Sequence, residues 1–385
     1  MANTLNNLIP TIYNALDVVS REMVGMIPSV TVDAQFTRAA KGQVVRSPVT
    51  PAVDATDITP AVTPPNDGDQ TVGSVAMEIT KARRVPVRWN GEEQLGLSNN
   101  GAEINVILSN QFAQAMRTLS NEIESDLAAL NVSASRAIGT AATNPFATDQ
   151  GTLADVLKEL LDNGAPKSDL QCCINTAAGA AMRKVSNLYK VNESGEDSFL
   201  RRGVLQDIYG FAIRESAQIQ NFVKGNAVSA KTDNSGYDVG DTVIGIDATS
   251  TSGAIKAGDI ITINGDTNKY VVVKGEADIS DGGEIEIAAP GLKKEIGTSA
   301  KDITLQNNSA RNLAFSRSAL ALATRAPARP SQGDSATDVT LVTDPVSGIT
   351  FEVSEYKQYR QVQYEVAIAW GTKLVKPEHA IILLG

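Results

Sequence analysis

The one histidine of this chain, His379, stands in KPEHAIILLG, six residues from the last position. Ser-His and Cys-His nucleophile pairs, HExxH metal binding and histidine-rich clusters all need an imidazole beside a partner. His379 therefore reads as an exposed terminal residue. Cys172 and Cys173 are adjacent. Neighbouring side chains do not close an unstrained disulfide, and two thiols without a spaced second pair fall short of a zinc site. They read as small buried hydrophobes in a reducing cytosol. The carboxylate pairs Glu92-Glu93 and Asp207 with Glu215 lack an acid-base partner. DISDGGEIE lacks the Lys-Ser/Thr of a phosphate loop and leads into a strand. These residues predict no catalytic, cofactor or metal site. What remains is KARRVPVRW, the most basic stretch, which places Lys81, Arg83, Arg84 and Arg88 beside Trp89. A guanidinium fork suits carboxylate pairing across an interface. The same stretch also fits a solvated strand face, whose ion pairs contribute little.

The balance of the chain narrows the partners. Its 385 residues carry 44 acidic against 34 basic side chains, a net charge of -10, which opposes strong direct binding to nucleic-acid phosphates. Hydrophobic residues at 42% and charged residues at 20% are globular values, while aromatics at 5% are few for a ligand-stacking or catalytic protein. Asn6, Asn7, Pro10 and Asn14 interrupt the N-terminal stretch, unlike a signal peptide. No run approaches the ~18 apolar residues that span a bilayer.

The elements that must position the basic stretch follow from periodicity. Ile12, Leu16, Val19 and Met23 predict a helix over Thr11 to Met26. Pro48, Pro51, Pro60, Pro64 and Pro65 then punctuate a Val- and Thr-rich segment that can be extended only as an edge or a projecting loop. SVAMEITKARRVPVRWNGEEQLGL alternates apolar and polar residues, so residues 35 to 97 read as a two-stranded excursion that leaves and rejoins the body. Asn100 to Leu130 carries one long apolar stripe, and TLADVLKELLDNGAP a second helix with Thr152 as N-cap and Asn163-Gly164 as stop. LQCCINTAAGAAMRK reads as strand then helix. Ile219 to Phe222 and Leu313 to Leu322 read as helix on either side of a β-rich insertion, from about Gly225 to Ser309, which lacks Arg, Phe and Trp. Within it, AGDIITINGDTNKYVVVKG predicts a hairpin with a type I′ turn at Asn264-Gly265. Ile260, Ile261, Ile263, Val271, Val273, Ile285 and Ile287 are its candidate core, and about 80 residues suffice for an autonomous module. DVTLVTDPVSGITFEVSEY, YRQVQYEVAIAWG and AIILLG read as closing sheet.

In this order the arm, the Pro-rich loop with KARRVPVRW, the long helix, RAIGTAATNPF, the inserted module, AFSRSALALATRAP and YEVAIAWGTKLVKPEHAIILL resemble the major capsid (coat) proteins of tailed double-stranded-DNA phages. The nearest likeness is the short-tailed Salmonella-phage coat type with an inserted β-barrel domain. The resemblance covers nearly the whole chain, and it rests on the order of patterns that are each weak alone. It implies an α+β Hong Kong phage-type capsid fold. Its parts would be an N-terminal arm (1–34), an extended loop (35–97), the spine helix of a peripheral domain (98–138), an axial domain (139–224, returning at 310–333), an inserted β barrel (225–309) and a peripheral β-sheet with the C-terminus (334–385). It further implies a subunit of hexamers and pentamers in an icosahedral virion shell, assembled in the host bacterial cytoplasm with a separate scaffolding protein and a portal protein. Such a shell encloses double-stranded DNA without reading its sequence, needs no cofactor and no membrane, and expands on packaging. Lys81, Arg83, Arg84 and Arg88, with Tyr237 and Asp238 on the short loop KTDNSGYDVGD, are the candidate contacts between subunits. Two other readings fit parts of the chain: a cytosolic multidomain α/β hydrolase or sugar-binding enzyme with an accessory β domain, and an encapsulin-like compartment shell.

Overall fold

The computed structural model describes residues 25–34, 37–49, 55–64, 68–99, 104–185, 207–249, 251–343 and 348–385. After a single 3-10 turn at Ile27–Ser29 come β1 (Thr31–Ala34), β2 (Val44–Val49), β3 (Gly73–Glu78), β4 (Lys81–Asn90) and helix α1 (Gly91–Asn99). The long helix α2 (Ile104–Ala129) is followed by β5 (Arg136–Ile138), α3 (Gly151–Asp162), β6 (Leu170–Ile174), α4 (Thr176–Met182), β7 (Phe211–Glu215) and β8 (Asn221–Phe222). The β-rich stretch holds β9 (Val243–Ile246), β10 (Ile260–Ile263), β11 (Tyr270–Lys274), β12 (Gly283–Ile287) and β13 (Ile303–Leu305). The chain closes with β14 (Ser309–Ser316), β15 (Leu320–Arg325), β16 (Asp338–Thr343), β17 (Thr350–Gln358), β18 (Gln361–Leu374) and β19 (Ala380–Leu384).

Two large sheets and a separate two-stranded β2–β3 ribbon hold these strands. The first runs β1-β15-β18-β17-β16, with β4 added against β18. Alternation along β17 and β18 sends Phe351, Val353, Tyr364, Val366, Ile368 and Trp370 into one core with the buried stripe of α2, namely Leu108, Phe112, Ala115, Met116, Leu119, Ile123 and Leu127. The Phe112 ring meets Tyr364 edge-on with centroids 5.7 Å apart. The second sheet runs β13-β10-β11-β5-β19-β14-β6-β7, with β12 on β11, β9 on β12 and β8 on β14. Helix α3 buries Leu153, Val156 and Leu160 against it, beside Ile381 and Leu383 of β19.

Several expectations are corrected. Ile219–Phe222 and Leu313–Leu322 are not α-helical: they fall in or beside β8, β14 and β15, with only a 3-10 turn at Arg317–Ala319. All eight residues of β14 are buried, and a strand covered on both faces loses the alternation that distinguishes it from a helix. GEEQLGL is helix α1 rather than strand, started by a reciprocal cap in which Asn90 N donates to Glu93 Oε2 (3.0 Å) and Glu93 N to Asn90 Oδ1 (2.7 Å). Thr152 does not cap α3; its hydroxyl donates to the Pro145 carbonyl. The hairpin between β10 and β11 exists, but its turn is not type I′. Asp266 N closes it onto Ile263 O, and of Asn264 and Gly265 only Gly265 has positive φ, +91°, which is the type II pattern. The expected helix Thr11–Met26 lies, except for its last two residues, outside the described residues.

The β-rich stretch is not detached from the body. It has its own core around Ile244, Ile246, Ile261, Ile263, Val272, Ile285 and Ile287, but Ile260 and Val271 turn the other way into the core beneath α2. Val273 is only half-buried and Val272 takes the place expected for it. Tyr270 of β11 pairs with Arg136 of β5, so one sheet runs from module to body. Around the module, residues 230–233 hydrogen bond on one side to Gly245 and Asp247 and on the other to Lys301 and Ile303.

Candidate functional site

The basic stretch is β4, and its alternation decides what each cation can reach. Lys81, Arg83, Val85, Val87 and Trp89 share the face toward α2, while Arg84, Pro86 and Arg88 point away from it. Lys81 Nζ lies 2.8 Å from Asp126 Oδ1 and 3.2 Å from Glu122 Oε1 of α2, and 5.8 Å from the centroid of the Trp370 ring. Trp370 Nε1 donates to the other Asp126 oxygen at 2.8 Å. Burial pulls the Lys81 ammonium down, but the hydrogen bonds and charges of Asp126 and Glu122 outweigh it and leave the group above its usual value. Arg83 Nε sits 3.2 Å from Glu122, and Trp89 Nε1 donates to Gln111 of α2 at 2.8 Å. On the far face Arg84 Nη1 meets Glu365 Oε2 of β18 at 2.6 Å. Lys81, Arg83 and Arg84 thus find carboxylates inside their own chain, a use the residue pattern does not reveal because Glu122, Asp126 and Glu365 are distant in sequence. Arg88 is exposed beside Gln363 and forms no ion pair among the described residues.

The second pair of candidates divides in the same way. Tyr237 is committed internally: its hydroxyl donates to Asp233 Oδ1 (2.6 Å) and accepts from Gly245 N (2.7 Å). Burial, with the bond to Asp233, pushes its phenol up. Asp238, next to it, is exposed on the turn, beside the exposed Val239. His379 is partly buried rather than exposed, and burial lowers its pKa. Both cysteines are buried, and burial raises the Cys173 thiol to about 12, which leaves it inert. Glu215 is bound by Arg183. Among the described residues no group of three or more His, Cys, Asp or Glu side chains is placed to hold a metal ion. No helix among them is long and apolar enough to cross a membrane.

Two features escaped the reading of residue types. At the β17–β18 turn an open groove of about 800 Å³ is lined by Trp89, Leu95, Lys357, Tyr359, Arg360 and Val362 among others. Leu95 and Tyr359 are largely in solvent. The second feature is the excursion carried by the β2–β3 ribbon, where Ile58 is 97% exposed and Val62 and Val72 are also in solvent. Between Ser47 and Thr80 the sequence has Asp54, Asp57, Asp67, Asp69 and Glu78 but no Lys or Arg, a charge signal that was present to be read. The ribbon is rooted where Thr80 N bonds to Trp370 O and Glu78 abuts Gly371. The groove lies at the opposite end of β4, whose ten residues span roughly 33 Å. Each chain therefore presents an acidic, apolar projection at one end and a cation-bearing groove at the other.

No protein-family model matches the sequence, and no protein of established function matches it by sequence. Solved structures do resemble it. A structure from Mycobacterium phage Che8 is 14% identical, with 90% of this chain and 88% of that one covered at a TM-score of 0.47. A virus-like particle from Pyrococcus furiosus is 11% identical, with 97% and 98% covered and a TM-score of 0.43. The capsid structure of cyanophage P-SCSP1u is 12% identical, with 94% of this chain and 88% of that one covered at a TM-score of 0.50. At that identity the likeness speaks for architecture alone, and the architecture it shows is a capsid-type α+β fold.

Proposed function

We propose that this chain is the major coat subunit of a tailed phage, which assembles into the hexamers and pentamers of an icosahedral shell around double-stranded DNA. The observation that carries the reading is the excursion, whose Ile58, Val62 and Val72 side chains lie in solvent on the segment between the two strands of the β2–β3 ribbon. Apolar surface held out in this way marks a contact with another molecule, and the capsid-type fold supplies the context in which that molecule is a second copy. The complementary ends fit a head-to-tail contact, which generates rings when its rotation closes. In this arrangement Arg88, Lys357 and Arg360 of one copy face Asp57 and Asp69 of the next. Lys81, Arg83 and Arg84 hold β4 in place through their internal carboxylates. Asp238 and Val239 are offered to a neighbouring capsomer.

The finer parts of the reading go together. A separate scaffolding protein and a portal protein act in assembly within the bacterial host, and the enclosed DNA is held without sequence recognition, as a net charge of -10 favours. Residues 225–309 are the inserted barrel of the short-tailed Salmonella-phage type, supported by the hydrogen bonds that residues 230–233 make on both sides. The test is particle size. Sedimentation and electron microscopy of the full chain with its scaffolding protein are expected to show closed particles in the megadalton range. A monomer or small oligomer at every concentration overturns the reading. Nuclease-protected DNA inside the particles distinguishes a genome shell from a protein-filled compartment.

A further inference from the structure

Glu124 is the most unusual carboxylate of the molecule. It projects from α2, is wholly buried, and makes no ion pair among the described residues. Its partners are donors on other elements: Met26 N at 2.8 and 3.0 Å from the two oxygens, Ile27 N at 2.8 Å, and Ser216 Oγ at 2.8 Å. The turn it grips is wedged tightly. A Cβ on Gly25 would lie 2.1 Å from the Glu215 carbonyl oxygen, and Ser29 Oγ, which donates to Gly25 O, also receives Arg214 Nη1 and contacts Cys173 Sγ. Residues 25–29 are thus held between α2, which packs on the first sheet, and β6 and β7 at the edge of the second.

We propose that Glu124 is a protonation-controlled clasp at this joint, seating residues 25–29 more firmly when the carboxyl is neutral than when it is ionised. Both states keep an oxygen for the Met26 and Ile27 amides, and the neutral acid can also share its proton with the Ser216 hydroxyl. Ionisation adds a buried charge that the backbone donors of residues 25–27 and the Ser216 hydroxyl only partly compensate. The charged and titratable groups facing the site do not cancel it. Arg214 of β7 is engaged by Ser29 and Gln171, Glu215 by Arg183, and the Cys173 thiol of β6 stays protonated. Residues 25–30 contribute no titratable side chain. On α2 itself, Glu122 and Asp126 serve Lys81.

Burial raises the Glu124 pKa, and the bonds from Ile27, Met26, Ser216 and Gly25 only reduce that rise. A carboxyl raised in the seated state binds its proton more readily there than when released. The contribution of protonation to seating is therefore fully present at acid pH and is lost as pH climbs through the raised value. The two sheets are coupled most firmly in mild acid, opposite to the usual carboxylate trend.

The experiment is hydrogen exchange at the Met26 and Ile27 amides of the full chain, corrected for intrinsic rates, in wild type and Glu124→Gln. Glutamine keeps the acceptor for the amides and offers a donor to Ser216 without a charge. Wild-type protection is expected to fall about threefold or more between about pH 5 and about pH 8, while the Gln variant stays flat. Identical profiles in the two proteins, or wild-type protection that rises with pH, overturn the proposal. If the variant does not fold, the infrared band of a protonated carboxyl in wild type decides instead. It must disappear over the same pH interval in which Met26 and Ile27 lose protection, and a band that titrates with the exposed carboxylates sinks the clasp.

Discussion

The chain leaves its body twice, and the two departures solve the same problem in opposite ways. The β-rich stretch from 225 to 309 buries its isoleucines in a core of its own and then fixes that core to the body through charge. Glu159 of α3 lies 3.0 Å from Arg136 Nε of β5 and 2.7 Å from Lys293 Nζ of the module, Arg136 stacks 5.3 Å from the Tyr270 ring centroid, and Tyr270 receives Lys293 N. Among the described residues the excursion on β2 and β3 has no such anchor beyond its root at Met77 and Ile79, and leaves Ile58, Val62 and Val72 in water. The difference teaches where each segment's stability comes from. The module draws on its own chain, whereas the excursion, on the proposed function, draws on a second one.

The comparison breaks most visibly at the triad. Removing one member of a buried charge cluster leaves the others uncompensated, so Glu159→Ala is expected to destabilise the subunit by about 3–5 kcal/mol, measured by urea denaturation. Arg136 is 4% exposed and cannot recover its hydration without opening the module–body seam. A loss under about 1 kcal/mol would mean that the seam is held by the β5–β11 strand pairing and the shared apolar core alone.

A gentler change inside the module sharpens the same point. Ile285 faces Ile244 across the β9–β12 pairing and is fully buried. Ile285→Val deletes one methylene and is expected to cost about 0.5–1.5 kcal/mol, without altering the subunit's assembly. A neutral result would show that the module core is loosely packed, and so closer in kind to the excursion than its burial suggests.

How far these regions were legible in sequence follows from whether their residue types keep a period. Helix α2 was plain because its apolar stripe is one-sided, and β17 and β18 were plain because polar and apolar residue types alternate along TFEVSEY and QVQYEV, although six consecutive residues of each strand are buried. Strand β14, covered on both faces, carries no period and was mistaken for helix. The basic stretch was located but its partners were not, since Glu122 and Asp126 reach Lys81 only after α2 has packed on the first sheet. Tyr237 drew notice as a loop aromatic, although Asp233, four residues before it, was already placed to take its hydroxyl. The module's hairpin was read from Asn264-Gly265, yet the register that turns Ile260 and Val271 toward the body depends on β5, which a local turn cannot reveal. The groove at the β17–β18 turn exists only once α1 and that turn are neighbours.

The smallest effect on the folded subunit is expected where the comparison makes its strongest claim. Ile58 and Val62 touch no core, so Ile58→Asp with Val62→Asp should leave the unfolding midpoint of the isolated subunit unchanged to within about 0.5 kcal/mol. The same pair of changes places two further carboxylates in a segment that already lacks cations, and it removes the apolar contact that docking would bury. Shell formation, followed by sedimentation under conditions in which the wild-type chain assembles, should therefore be lost while the monomer stays folded. Restoring charge balance with Asp57→Lys alone should also weaken assembly, by facing Lys357 and Arg360 with a like charge. Combining it with Arg360→Glu should recover part of the loss. Normal shells from the Ile58 and Val62 double variant would show that the excursion's apolar side chains serve no partner, and the contrast between the two departures would then be one of packing only.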